Sequence, residues 1–373
     1  MTDTVLAIDM GSTWCKAAYV DRDGRMLAEG RGYSRGGPHF GHNADDLADC
    51  WGVLVEAVRD AGSGDQPPPV AIAISCRKAP GIWLDAGDNP VDLPPGAAEQ
   101  ADRSEIEASY AADVWGDAGP FAYGYGVDLI GNSRWLRRAY PDLWSRVRRA
   151  GTLHNWLVYR LTGRWVASPA AGPVRFTWPD AATILTGLDR KAFPEVVESF
   201  RQVSMLTPEA AEELGLPVET PVVTGTHDGA AANLGSGAMH VGDACLTLGT
   251  NGVIRVVTGA PLERQFGYPI VEGRWAMVRD VVGIAHHLDH LVAAIDNEGL
   301  PVSAERHARL TEQAGQVPIG SDGLRLPVPA DGILSEERQV ERREVAERYP
   351  AGQVYRAALE GIVLAFRGLV ETV

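Results

Sequence analysis

Three short runs in this 373-residue sequence place reactive side chains where an apolar segment ends. The first is Asp9-Met10-Gly11-Ser12-Thr13-Trp14-Cys15-Lys16. A carboxylate at a strand end, then a glycine, two hydroxyls and a lysine, suits a Mg²⁺ and phosphate loop. Asp9 would hold the metal through water, while Gly11, Ser12, Thr13 and Lys16 meet phosphate oxygens. It is not a Walker A loop, because Cys15 stands where that loop has a glycine before its lysine. The second run is Gly225-Thr226-His227-Asp228, where Asp228 leaves a strand and opens a small-residue helix. The third is Gly249-Thr250-Asn251-Gly252, a turn whose amides and hydroxyl can point at an anion. A carboxylate base beside a phosphate cradle is the equipment for phosphoryl transfer to a hydroxyl. Each run alone has a plainer reading: a hairpin for the two glycine turns, an N-cap for Asp228.

Two weaker constellations stand beside these. Ser75-Cys76-Arg77-Lys78-Ala79-Pro80 sets two adjacent cations at a strand end, where they could meet an anionic ligand or simply face solvent. His286 and His290 are one helical turn apart, a spacing a metal could use, but no third ligand matches them.

The elements that must position these groups follow from period and punctuation. Val5–Asp9, Ala17–Asp21 and a run opening at Met26 read as three strands, with Asp23-Gly24 as a hairpin turn. Leu47–Ala61 has helical period and stops at Gly62. Val70–Ser75 and Gly81–Leu84 read as strands, and residues 93–160 as mainly helical. Thr152–Leu161 is a helix ended by Thr162-Gly163; Pro194–Phe200 and Pro208–Leu214 are expected short helices. Pro221–Thr224, Asp243–Leu248 and Val253–Val257 are strands, with Asn251-Gly252 as the hairpin signal between the last two. Pro269–Val271 and Trp275–Arg279 make another hairpin. Gly283 opens a helix, Ser335–Arg348 is charge-dense, and Gln353–Val373 is an amphipathic helix that reaches the last residue without a cap. Strands interleaved with helices specify an α/β fold with mixed sheets.

Bulk properties narrow the partners. The hydrophobic share is 45% and the charged share 22%, ordinary for a globular enzyme of two domains. A formal net charge of −15 argues against nucleic acid or an anionic membrane. Cys15, Cys50, Cys76 and Cys245 are scattered without metal or redox spacing, which reads as reduced thiols in a cytoplasm.

In combination these motifs resemble the FGGY carbohydrate kinases. Val5-Leu-Ala-Ile-Asp-Met-Gly-Ser-Thr-Trp-Cys-Lys16 resembles the family's opening phosphate loop, and Leu246-Thr-Leu-Gly-Thr-Asn-Gly252 its second. Leu153–Gly163 looks like the mid-chain helix before the family's Leu-Thr-Gly turn, Gly225–Gly237 the segment of the catalytic aspartate, and Arg356–Gly361 a late helix. The resemblance implies two actin-like (ribonuclease H-like) domains around a cleft, each a mixed sheet flanked by helices. They are expected at 1–238 and 239–373. It implies ATP and Mg²⁺ as cofactors and a small sugar or polyol as substrate, with a homodimer left open. Asp228 would be the general base and Asp9 the Mg²⁺-side carboxylate. Gly11, Ser12, Thr13, Lys16, Gly249, Thr250 and Asn251 would be phosphate contacts, and Arg77, Lys78 and His227 would lie on the substrate side with Asp228. Three departures qualify this. The family's tryptophan–aspartate–arginine segment is not recognisable, with Glu99-Gln-Ala-Asp-Arg103 near its place at altered spacing, and its Ser-Gly-Gln segment has become Ser75-Cys-Arg-Lys78, so the sugar is not named. Family members continue past the last helix into an adenosine-binding segment, so the second domain is expected to be incomplete. A sugar-sensing pseudokinase and an actin-like ATPase acting on a protein remain the alternatives.

Overall fold

The structure, a computed structural model, describes residues 3–11, 14–33, 44–64, 66–77, 81–94, 103–110, 126–171, 178–249, 252–262, 266–271, 273–281, 283–295, 302–328 and 336–371. The chain forms two compact units. One comprises Met1–Val241 and Thr258–Ala276, the other Gly242–Val257 and Met277–Val373.

The first unit is built on a six-stranded sheet. Its strands up to the first helix are β1 (Val5–Met10), β2 (Trp14–Val20) and β3 (Met26–Tyr33), followed by α1 (Ala44–Ala61) and β4 (Ala71–Cys76). Then come β5 (Ile82–Leu84), α2 (Arg103–Tyr110), α3 (Gly126–Ala139), α4 (Pro141–Trp144), β6 (Arg149–Gly151), α5 (Leu153–Thr162), β7 (Val166–Ala167) and α6 (Trp178–Thr186). The unit continues with β8 (Glu195–Val196), β9 (Gln202–Met205), α7 (Pro208–Leu214), β10 (Pro221–His227) and α8 (Asp228–Gly235). The sheet order is β3-β2-β1-β4-β10-β9. β1 runs antiparallel to β2 and parallel to β4, so it is flanked on both sides. Alternation does the sorting: Leu6, Ile8, Met10, Cys15, Ala17, Ile72 and Ile74 point to one face and are buried against α1 and α5. α1 lies directly on β3, since a Cβ on Gly30 or Gly32 would overlap the carbonyl oxygens of Ala57 or Val53.

One expectation fails here. Pro194–Phe200 is not a helix; Glu195 and Val196 pair in parallel with Val166 and Ala167, and Val197 donates its N–H to the Ala167 carbonyl at 2.8 Å. Consecutive β-branched valines after a proline favour that extended run. The described part of residues 93–160 is mainly helical, as expected, with two interruptions. Pro141 restarts the chain as α4, and Arg149–Gly151 forms a strand with Ile82–Leu84.

In the second unit β11 (Ala244–Leu248) pairs antiparallel with β12 (Gly252–Thr258) and with no other described strand. β13 (Gly267–Val271) belongs to the first unit and β14 (Arg274–Val281) runs from the first into the second, where α9 (Ile284–Ile295), α10 (Ala304–Gly315), α11 (Glu336–Arg348) and α12 (Ala351–Val370) follow. Val354, Ala357, Ala358, Ile362 and Phe366 form the buried stripe of α12. Gly252, taken from the sequence as half of an Asn-Gly turn, is a strand residue opposite Leu248, without positive φ. Its lack of a Cβ serves packing, because a methyl there would overlap the ring of Phe366. None of the described helices is long and apolar enough to cross a membrane.

Candidate active site

The site is assembled where β1, β4 and β10 end side by side. Asp9 is opposite Ser75 in the β1–β4 register, and Thr226 is opposite Ser75 in the β10–β4 register. That second alignment requires a bulge. Val223 pairs with Ala73 and Thr226 with Ser75, so β10 carries one extra residue. Gly225 takes up the strain with φ +64°, and a Cβ there would overlap the Ile74 carbonyl oxygen. Beyond the bulge, the His227 N–H and the Thr226 hydroxyl both donate to the Ala170 carbonyl, at 2.9 and 3.1 Å. The strand end is therefore fixed before it turns into α8.

Asp228 is the first residue of α8, and its carboxylate is held from two sides. The Gly229 N–H donates to Oδ1 at 2.6 Å, and His227 Nε2 is 2.9 Å from the same oxygen. The Gly229 N–H also reaches His227 Nδ1 at 3.1 Å, so Nδ1 is an acceptor. The proton of a neutral His227 must then sit on Nε2, and the ring donates to Asp228. His227 is buried, with the edge of Tyr268 from β13 against its ring at 4.7 Å between centroids. Both ring nitrogens are engaged within the protein, which leaves His227 as a neighbour of the base.

Asp9 accepts a hydrogen bond from the Ser75 hydroxyl at 3.0 Å. Its carboxyl is raised above the ordinary range, mainly by burial; Ser75 opposes the shift, the negative charge of Asp228 adds to it, and Lys16 opposes it. Asp9, Lys16, Ser75, Thr226 and Asp228 line one cavity of about 780 Å³, floored by small residues such as Ala7 and Ala73. This face of the sheet is the one turned away from the hydrophobic core. Its oxygen-only donors, Asp9, Asp228 and Ser75, fit a hard divalent cation that keeps several waters. Among the described residues no group of three or more His, Cys, Asp or Glu side chains could hold a metal directly.

Arg77 turns inward. Its backbone N–H donates to the Met10 carbonyl at 3.0 Å and its Nε to the Gly11 carbonyl at 3.2 Å, so it braces the first loop. Gly11 in turn donates to the Trp14 carbonyl at 3.0 Å. Gly249 follows β11 in the second unit and is exposed. Ser12, Thr13, Lys78, Thr250, Asn251 and residues 99–102 lie outside the described residues. Ser75, Thr226 and Gly225 lie inside the sequence motifs but carry no role of their own there, although Gly225 directly after a β-branched run is the signal for a bulge.

The sequence profile of the FGGY family of carbohydrate kinases, N-terminal domain, matches residues 131–235. The chain is 22% identical over 349 residues to a gluconokinase of Bacillus licheniformis, covering 87% of this chain and 67% of that protein. A xylulose kinase of Lactococcus lactis is 32% identical over 127 residues, 32% of this chain and 25% of that one. The crystal structure of xylulose kinase from Rhodospirillum rubrum superimposes with a TM-score of 0.78 at 22% identity, covering 99% of this chain and 78% of that chain. Over residues 131–235 this chain carries the N-terminal domain profile of the FGGY carbohydrate kinases, and its fold is that of solved kinases of sugars and gluconate. Gluconate kinase from Lactobacillus acidophilus has the same fold at 16% identity, with a TM-score of 0.74 over 97% of this chain and 76% of that chain. The α/β fold is thus the actin-like one of FGGY kinases, in which mixed sheets carry flanking helices. The chain spans about two thirds of the length of the gluconokinase it matches.

Proposed function

We propose that this FGGY kinase transfers the γ-phosphoryl group of ATP to a hydroxyl of a sugar or polyol, with Asp228 as general base. The observation that carries the reading is the fixed carboxylate of Asp228, clamped by Gly229 and His227 on the cavity that Asp9, Ser75 and Lys16 also line. A base needs a defined position more than an unusual environment, and the bulge at Gly225 supplies it. Asp228 takes the proton of the attacking hydroxyl as its oxygen bonds to phosphorus. The bond from phosphorus to the β-phosphate oxygen breaks, and ADP leaves with the electron pair. Lys16, opposite Asp9 on the neighbouring strand, offers positive charge to the phosphates. Asp9 would hold Mg²⁺ with Ser75 and Asp228 nearby; when bound, the ion neutralises phosphate charge. The amides and hydroxyls at positions 11–13 and 249–251 are the proposed phosphate contacts.

The acceptor stays at the level of sugar or polyol. Arg77 bonds to Gly11, so the pair Arg77-Lys78 gives little reason to favour an acidic sugar. The four free, buried cysteines suit a reducing cytoplasm. The test is ADP release over a panel of acceptors running from gluconate to xylulose. Acceptor-dependent release is expected. Turnover indifferent to acceptor would point to an ATPase, and ATP binding without turnover to a sensor.

A further inference from the structure

The second unit buries a positive charge that the kinase reaction does not use. Arg342 of α11 is 9% exposed. Its guanidinium donates to two carbonyls, those of His287 at 3.3 Å and Pro327 at 3.4 Å. Both bonds are long, and among the described residues it forms no ion pair. Burial pulls its pKa below the ordinary arginine value; Glu341 opposes that shift and Arg338 adds to it. A buried guanidinium without a carboxylate partner is expensive, and proteins ordinarily supply a counter-charge.

The surroundings show what kind of counter-charge fits. One side of Arg342 opens on a cavity of about 240 Å³ lined by His290, Gln339, Arg342, Arg343 and Glu347. The other opens on one of about 320 Å³ lined by Arg325, Arg338, Arg342 and Glu341 with Leu326 and Pro327. Cations outnumber anions on both sides, in a chain whose formal net charge is −15. His287, on α9 beside them, is buried with neither ring nitrogen hydrogen-bonded. Burial, then the charges of Arg342, His290, His286 and Arg338, hold its pKa down to about 4. The helical spacing of His286 and His290 suggested a metal, but the arginines around them would repel one. At roughly 30 Å³ per water, the smaller cavity has room for an anion of several heavy atoms.

We propose that the crevice between α9 and α11, lined by His290, Gln339, Arg342 and Arg343, binds the phosphate group of a small phosphorylated ligand. Arg342 supplies a fork of donors that fits two phosphate oxygens. The anion completes the coordination that the two long carbonyl bonds leave weak. Glu347 on the rim disfavours larger polyanions approaching from that side. The site is built within one unit and is independent of the kinase reading.

The probe is inorganic phosphate, with melting temperature measured against sodium chloride of equal ionic strength. Wild-type protein should gain a saturable rise, as expected for a ligand of the folded state. His290→Ala/Arg343→Ala replaces two exposed residues, so it should fold normally and bind phosphate at least about tenfold more weakly. No rise beyond that of chloride, or the same rise in the double variant, overturns the site; in the second case phosphate is seated elsewhere. Arg342→Met should lose the response and melt no lower than wild type in phosphate-free buffer. A clear fall there would mean that the carbonyls already satisfy the guanidinium, and the reason for the site would be gone. Repeating the titration with glucose 6-phosphate separates the two ligand sources: tighter binding than inorganic phosphate assigns the site to sugar phosphates, equal binding to phosphate itself.

Discussion

The two hairpin loops of this kinase look alike in sequence and are supported quite differently. The β1–β2 loop grows from a strand paired on both sides, and it is braced from behind by Ser75 on Asp9 and by Arg77 on Gly11. The β11–β12 loop grows from a strand paired on one side, with Ala244, Leu246, Thr247 and Leu248 exposed. Gly252 packs closely against Phe366 and Ile284, and Arg255 of β12 donates to the Thr247 hydroxyl of β11 at 2.7 Å. Among the described residues, the first hairpin is braced by side-chain hydrogen bonds from the end of β4, while the second lies at a sheet edge with Gly252 packed on the Phe366 ring. Charge that must stay in place, Asp9 and Asp228, is found with the rigid support.

The largest effect should come from the proposed base. Asp228→Asn keeps the shape and the contact with Gly229 but cannot take a proton. We expect kcat to fall by about 10²–10⁴ with little change in KM for the sugar. Steady-state kinetics on a variant with an unchanged melting curve decides it, and near-normal turnover would reassign the base.

Next come two glycines that set backbone support against side-chain support. Gly225→Ala must adopt φ +64° and overlap the Ile74 carbonyl oxygen, neither of which can relax. Left-handed strain and overpacking together should cost about 3–5 kcal/mol, enough to threaten folding. Gly252→Ala meets the far edge of the Phe366 ring, which can shift, so about 1–2 kcal/mol is expected. Phe366→Leu should restore part of the loss at Gly252 and none at Gly225. Urea denaturation of the four proteins tests this; equal costs at the two glycines would erase the distinction.

The legibility of these features follows the same division. Strand ends, the Gly163 and Gly215 helix stops and the aspartate at the head of α8 were readable, because each depends on neighbours in sequence. Ser75 on Asp9, Arg77 on Gly11 and Tyr268 on His227 were not, because they depend on strand register. Two adjacent cations at a strand end are open in sequence to an anionic ligand or to solvent, and neither reading shows that the Arg77 side chain reaches the Gly11 carbonyl. Gly252 was taken for a turn residue because Asn-Gly is a strong local signal, and the ring of Phe366 lies more than a hundred positions away.

A smaller effect is expected at His227, whose two nitrogens do separable work. Nδ1 accepts from Gly229 at the start of α8, and Nε2 donates to Asp228. Asn places an acceptor where Nδ1 was but cannot reach the carboxylate. Gln places an amide where Nε2 was but caps the helix poorly. His227→Asn should keep its stability and lose about tenfold in kcat, while His227→Gln keeps most of its turnover and loses about 1 kcal/mol. Parallel measurement of kcat and melting temperature checks the pair. Loss of both properties in both variants would mean that the ring serves packing alone.

The smallest effect concerns Asp9, where rigid support carries an electrostatic cost. Its carboxyl is raised above the ordinary carboxylate range in the folded protein, burial being the main cause. Between the unfolded and the folded value, the native state holds more protons than the unfolded state. Stability therefore falls as pH rises through that window, and above it the folded protein carries a disfavoured charge. Asp9→Asn removes the charge and leaves an acceptor for Ser75. At pH 7 without Mg²⁺ the variant should melt a few degrees higher than wild type, on the order of 1 kcal/mol. The advantage should vanish below about pH 4, where Asp9 is protonated in both states. Mg²⁺ should close the gap from the other side, raising the melting temperature of wild type more than that of the variant, while kinase turnover falls in the variant. Melting curves over pH 3–8 with and without Mg²⁺ test the sign directly. A variant less stable than wild type at pH 7 would mean that Ser75 and Lys16 together outweigh burial, and that Asp9 supports the fold as well as the phosphates.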